Sequence, residues 1–162
     1  MKIDDYWHKE QPHTWHHDTR QTFYSYRNRY SNDIAGVDAW VETIPDFHGG
    51  GYDAVVYDTV KDDAVLSKRF DNREEANDWL IAWLKKNIEI TSIATHNGKM
   101  LYLVKKFDKV KKGWHNFEVI RSYHVVYYTK DKIQDTPFFY KAGANRWLMS
   151  FLERHPEWKI FE

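Results

Sequence analysis

The feature that most constrains the fold is a helix pattern that occurs twice. Ala76, Trp79, Leu80, Trp83 and Leu84 fall at i, i+3, i+4, i+7 and i+8, which is one face of a 3.6-residue period. Ala144, Trp147, Leu148, Phe151 and Leu152 repeat that spacing 68 residues later, and the order Ala-Asn-x-Trp-Leu is kept. The first copy carries its own boundary signals. Asp71 and Glu74 have capping-box spacing, while Lys85 and Lys86 sit where the helix dipole favours cations. Pro156 stops the second.

What precedes each helix also recurs. Tyr52-Asp-Ala-Val-Val-Tyr-Asp-Thr59 resembles Tyr123-His-Val-Val-Tyr-Tyr-Thr129, and Phe70 and Phe138 each lie six residues before the repeated alanine. The pattern predicts an α+β fold made by tandem duplication of a βββα unit, with antiparallel sheets and two amphipathic helices. Expected strands in the first copy run over 37–47, 52–59 and 64–70. Those of the second run over 99–107, 115–129 and 133–140, with 88–97 a linker that itself reads as extended. The expected divisions are an N-terminal aromatic and histidine-rich extension over 1–35, a first unit over 36–90 and a second over 91–162. Within the extension, Pro12 marks the start of a short helix to about Thr19, and Thr22–Tyr30 reads as extended. A unit of 50–65 residues buries little surface alone, so the two are expected to share a core. Aromatics make up 17% of the chain, so much of that core is Trp, Tyr and Phe.

Charge separates the halves. Residues 1–90 hold 11 basic and 17 acidic side chains, a net −6; residues 91–162 hold 13 and 7, a net +6. Such asymmetry implies two surfaces with different partners, or attraction between halves or between copies in a homodimer. There are no cysteines, which excludes disulfides and thiolate metal sites. No apolar run approaches the ~18 residues of a membrane span, and the start has no signal-peptide core, so a cytoplasmic protein with no membrane partner is expected.

Catalytic motifs fail on context. His48-Gly49-Gly50-Gly51 spells the oxyanion-hole sequence of lipases, but no Gly-x-Ser-x-Gly accompanies it, and a hairpin turn accounts for it. Gly49, Gly51 and Ala54 fit a dinucleotide fingerprint that a strand, rather than a helix, follows. The dipeptides His96-Asn97 and His115-Asn116 lack nuclease spacing. His13, His16, His17 and Asp18 form the best metal candidate, since His13 and His17 on a helix would be i, i+4. The acidic pairs Asp4-Asp5, Asp62-Asp63 and Glu74-Glu75 have ordinary terminal, turn and helix-start roles. No cofactor and no enzymatic activity are expected; a metal-dependent enzyme built on the histidine cluster is the outlying alternative.

Binding signals are stronger. Lys105, Lys106, Lys109, Lys111, Lys112 and Arg121 surround one hairpin with Trp114 and Phe117 interleaved, and Arg27 and Arg29 sit among Tyr24 and Tyr26. Basic charge neutralises phosphate and aromatic rings stack on bases. Asp38, Glu42, Asp46, Asp53 and Asp58 give the first unit an acidic face. From Trp40 to Trp83 the layout resembles the three-strand-plus-helix DNA-binding modules of phage integrase arms and AP2 proteins, although here that unit is acidic and would repel DNA. The leading expectation is a non-enzymatic macromolecule-binding protein of phage or mobile-element type, such as an inhibitor of a host nuclease complex. Its partner is a protein or a protein–nucleic-acid complex. The alternative is direct nucleic-acid binding through the 105–121 hairpin.

Overall fold

The computed structural model describes the backbone of residues 8–9, 13–17 and 23–162, and side chains from Tyr30 onward. It is an α+β structure of two antiparallel sheets and two helices, divided into two compact units, Lys2–Lys86 and Asn87–Glu162.

In the first unit β1 (His8–Lys9) and β2 (His13–His17) both pair with β3 (Phe23–Asn32). The sheet continues as a meander through β4 (Val37–Thr43), β5 (Tyr52–Asp58) and β6 (Asp63–Phe70), and α1 (Arg73–Asn87) follows. Two expectations are corrected here. Three strands before the helix become four, because β3 joins the edge of β4 in register from Arg27↔Glu42 to Asn32↔Val37. Residues 13–17 form a strand rather than a helix, since the long edge of β3 offers them a ladder that a local Pro signal does not reveal.

Turn chemistry sets the joints. Pro45 ends β4, and a 3-10 turn over Asp46–His48 leads into Gly49, Gly50 and Gly51 at φ of 99°, 67° and 88°. Gly51 is required twice over, by its positive φ and because a Cβ there would lie 2.7 Å from the Phe70 carbonyl oxygen. The helix starts one residue later than the capping-box spacing implies: Asn72, not Asp71, accepts hydrogen bonds from the N–H groups of Glu74 and Glu75 at 2.8 and 3.2 Å. Ala76, Leu80 and Leu84 are buried, while Trp79 and Trp83 are half-buried. The Tyr30 hydroxyl donates to Asn77 Oδ1 at 2.9 Å, and Phe70 lies 5.6 Å from Trp79, so α1 is tied to both ends of the meander.

The second unit is built alike. β7 (Glu89–His96), β8 (Lys99–Gly113), β9 (Asn116–Tyr128) and β10 (Ile133–Phe138) form a meander, followed by α2 (Lys141–Arg154) and a short β11 (Lys159–Ile160) that returns to pair with β7. Asn97-Gly98, both at positive φ, make the tight β7–β8 turn. Ala144 and Leu148 on α2 pack with Ala94, Leu101, Leu103, Val125 and Trp158, and Trp147, Phe151 and Leu152 are half-buried around them. On the other face of this sheet Ile90, Tyr102, Val104 and Val126 are also buried, so Leu101–Val104 is apolar at consecutive positions. Full burial of such a side chain contributes about 1.5–3 kcal/mol.

Candidate functional site

The long hairpin of β8 and β9 outruns its sheet. β7 pairs with β8 only as far as Lys105, and β10 pairs with β9 only as far as Tyr123. Beyond those points, among the described residues, strand segments 106–113 and 116–122 form ladder pairs only with each other, a two-stranded ribbon roughly 25 Å long. Side chains alternate across a strand, and the register fixes which share a face. Lys105↔Tyr123, Phe107↔Arg121, Lys109↔Val119 and Lys111↔Phe117 share one. That face carries four cations; the ribbon contributes no carboxylate to it, and Glu89 on β7 stands opposite Lys105 where the ribbon leaves the sheet. The Arg121 guanidinium lies 5.7 Å from the Phe107 ring, and Lys109 Nζ lies 4.5 Å from the Phe117 ring. Trp114 stands at the tip, 85% exposed.

The opposite face of the ribbon differs. Lys112 Nζ pairs with Glu118 at 3.2 Å, both well exposed. At the root, Lys106 is only 2% exposed and its Nζ lies 3.7 Å from Asp135 Oδ2 on β10. Lys106 is therefore withdrawn from the basic surface the sequence implies, because its even position turns it away from Lys105 and Lys109. Around it gathers a set the sequence reading did not find. His124 Nδ1 lies 2.6 Å from Asp135 Oδ1, and its Nε2 lies 3.0 Å from Asp108 Oδ2 and 2.8 Å from Ser122 Oγ. Burial works against charge on Asp108. The hydrogen bonds from His124 and Ser122 and the cations His124 and Lys106 outweigh it, and hold the carboxyl well below the usual carboxylate range. Burial likewise opposes protonation of His124, and the hydrogen bonds to Asp108 and Asp135 overcome it and raise its pKa. The result is two cations facing two carboxylates.

Ser122, His124 and Asp135 have the contacts of a serine–histidine–aspartate triad, but the chemistry differs. A general base needs a free imidazole nitrogen, and both nitrogens of His124 face carboxylates, which favours the imidazolium. Ser122 is itself 2% exposed. The set is a buried ion network joining β8, β9 and β10.

The acidic residues of the first unit do not form one face. Asp38, Glu42 and Asp53 share a side of the sheet, with Glu42 and Asp53 directly opposite in register. Burial, then Glu42, raises the pKa of Asp53, and Arg69 lowers it. The same row is flanked in register by Arg27 and Arg69, giving the order Arg27–Glu42–Asp53–Arg69 across four strands. Asp58 is buried on the other side, where Oδ1 accepts from the N–H groups of Val60 and Lys61. Asp46 is exposed in the 3-10 turn. Tyr24, Tyr26, Arg27 and Arg29 lie on β3, and their side chains are outside the described residues, as are those of His13, His16 and His17. Asp18 is outside altogether. In a strand the Cα atoms of His13 and His17 are about 13 Å apart, so the single-helix geometry of a two-histidine site is not available. Among the described residues no cluster of three or more His, Cys, Asp or Glu is arranged to hold a metal. Among the described residues no helix is long and apolar enough to cross a membrane.

Comparison with known proteins finds no matching family model, no matching curated protein and no matching solved structure.

Proposed function

We propose that the protein is a non-enzymatic macromolecule-binding protein whose β8–β9 ribbon grips the backbone of a nucleic acid, free or within a protein–nucleic-acid complex. One observation carries this reading: strand alternation collects Lys105, Lys109, Lys111 and Arg121 with Phe107 and Phe117 on one face of the β8–β9 hairpin, where among the described residues the ribbon itself places no carboxylate and Glu89 stands opposite Lys105 at the root. A two-stranded ribbon fits the major groove, cations neutralise phosphates, and an exposed tryptophan at the tip supplies a stacking surface. A target of that kind suits an inhibitor of a nuclease complex, the role expected of small phage and mobile-element proteins. The acidic row of the first unit supports a nucleic-acid mimic less well, because Arg27 and Arg69 bracket it in register.

The two units are read as diverged tandem copies. The final strand of each meander ends on a phenylalanine, Phe70 or Phe138, and each helix begins three residues later, at Arg73 or Lys141. The long ribbon belongs to the second copy only.

The test is fluorescence anisotropy with duplex and single-stranded oligonucleotides across a salt series. If all four cations contact phosphate, log K against log salt falls with a slope of about −3.6 on duplex DNA. Lys111→Glu weakens binding strongly, whereas Lys112→Glu, on the other face, changes it little. Absence of binding at low salt, or equal effects of the two substitutions, overturns the reading.

A further inference from the structure

A cleft of about 450 Å³ opens in the second unit between the end of the sheet and the C-terminal half of α2. It lies outside the ribbon and no part of the nucleic-acid reading uses it. Its volume falls in the range of small-molecule sites, roughly 300–1,000 Å³. One wall is aromatic. Trp147 and Phe151 stack with centroids 5.3 Å apart and planes within 9°, and Trp158 meets Phe151 edge-on at 5.5 Å. Facing them across the cleft are the side chains of Gln134 and Thr136 on β10 and of Lys99 on β8.

The polar groups are selective. His155 Nδ1 and Glu157 Oε1 lie 3.3 Å apart and partner each other. Lys99, Gln134 and Thr136 carry no such side-chain partner among the described residues. The lining therefore offers an aromatic wall in which Phe151 is already packed between Trp147 and His155, an amide that both donates and accepts along one edge, and one cation, Lys99, with no side-chain partner among the described residues. A planar heterocycle with a hydrogen-bonding edge satisfies the first two, as Gln does with the adenine edge, and a phosphate satisfies the third.

We propose that this cleft binds a single nucleotide with an unpaired base, the base packed against Trp147 and edge-bonded by Gln134, the phosphate at Lys99. Two sources supply that chemistry, a free mononucleotide and the unpaired end of a strand.

Titration of the full chain with AMP, adenosine and the dinucleotide pApA, followed by tryptophan fluorescence and calorimetry, tests the proposal. AMP binds saturably and more tightly than adenosine. Lys99→Ala weakens AMP roughly 10- to 100-fold, the worth of one charge-assisted hydrogen bond, while leaving adenosine unchanged. Gln134→Leu weakens both. Lys111→Glu alters neither, which separates this site from the ribbon. Tighter binding of AMP than of pApA identifies a free mononucleotide, and the reverse identifies a strand end. Both substitutions in the cleft are at exposed positions, so folding is retained and is checked by circular dichroism. No saturable signal at millimolar AMP, equal affinity for AMP and adenosine, or loss of binding through Lys111→Glu instead of Lys99→Ala overturns the proposal.

Discussion

Replacing Lys106 by Met removes one cation from the buried network and leaves most of the side-chain volume in place. The wild-type set holds Lys106 and His124 against Asp108 and Asp135. After the substitution one imidazolium faces two carboxylates. At 3.7 Å and an effective dielectric constant near 20, the lost Lys106–Asp135 attraction is ~4.5 kcal/mol. That agrees with the 3–5 kcal/mol typically lost when one partner of a buried pair is removed, and is a large share of the ~5–15 kcal/mol that stabilises a domain. Asp135→Asn alone leaves two cations against Asp108 and is also costly. Together the two substitutions leave one imidazolium and one carboxylate, again neutral. The double variant is therefore expected to be more stable than the sum of the singles by about 2–3 kcal/mol. Urea unfolding followed by tryptophan fluorescence and far-ultraviolet circular dichroism measures all four corners of the cycle. A cost below about 1 kcal/mol for Lys106→Met, or strict additivity in the double variant, would refute the claim that these charges act as one balanced set.

The same network sets a pH dependence. The pKa of Asp108 is depressed in the fold, so its contribution is present above the unfolded value of about 3.9 and is lost as pH falls toward its folded value. The pKa of His124 is raised, so its contribution is complete below about 6.5 and is lost as pH rises through its higher folded value. The stability difference between wild type and His124→Gln should accordingly shrink as pH climbs from 6 to 9; a difference that grows would mean that His124 is neutral in the fold. Asn72→Ala removes the cap on α1 and should cost about 1 kcal/mol, read from the urea midpoint, whereas Asp71→Ala should cost much less. Gly51→Ala should cost more than ~2 kcal/mol, since strain at positive φ adds to a clash with the Phe70 carbonyl. Gly98→Ala, at similar φ but in open space, should cost only ~1–2 kcal/mol, and equal losses at the two glycines would remove the role of the close approach.

The helices were legible because their signals are local: a 3.6-residue period and a following proline need no knowledge of distant chain. The fourth strand of each meander was harder. β3 shows strand-favouring aromatics, but its place beside β4 depends on pairing that composition does not encode. Asn97-Gly98 is a local turn signal between two extended runs, and the β7–β8 turn falls there. The basic hairpin is the instructive case. Read as a cluster, Lys105 to Lys112 is one patch; read with the two-residue period of a strand, the odd positions separate from Lys106 and Asp108. That separation was available from spacing alone. The meeting of Asp108, His124 and Asp135 was not, because it needs the register of three strands and the burial of the face they share. The cleft was hidden for a related reason. It is assembled from the β7–β8 and β9–β10 ends and from the chain after α2, which approach only once β11 has returned to β7.

The ion network sits at one point of the ribbon, its root, where β7 and β10 have just stopped pairing. Asp135 reaches from β10 to both Lys106 on β8 and His124 on β9, so the strand that ends first still holds the two that continue. A bare two-stranded ribbon would swing about that point, and a partner would have to arrest the swing on binding. With its root locked by opposed charges, the ribbon keeps one aim, and the entropy of fixing its direction is lost during folding rather than at each encounter. If the ribbon binds as proposed, loosening the root would leave every cation on its basic face in place and still weaken binding, by turning a pointed probe into a tethered one.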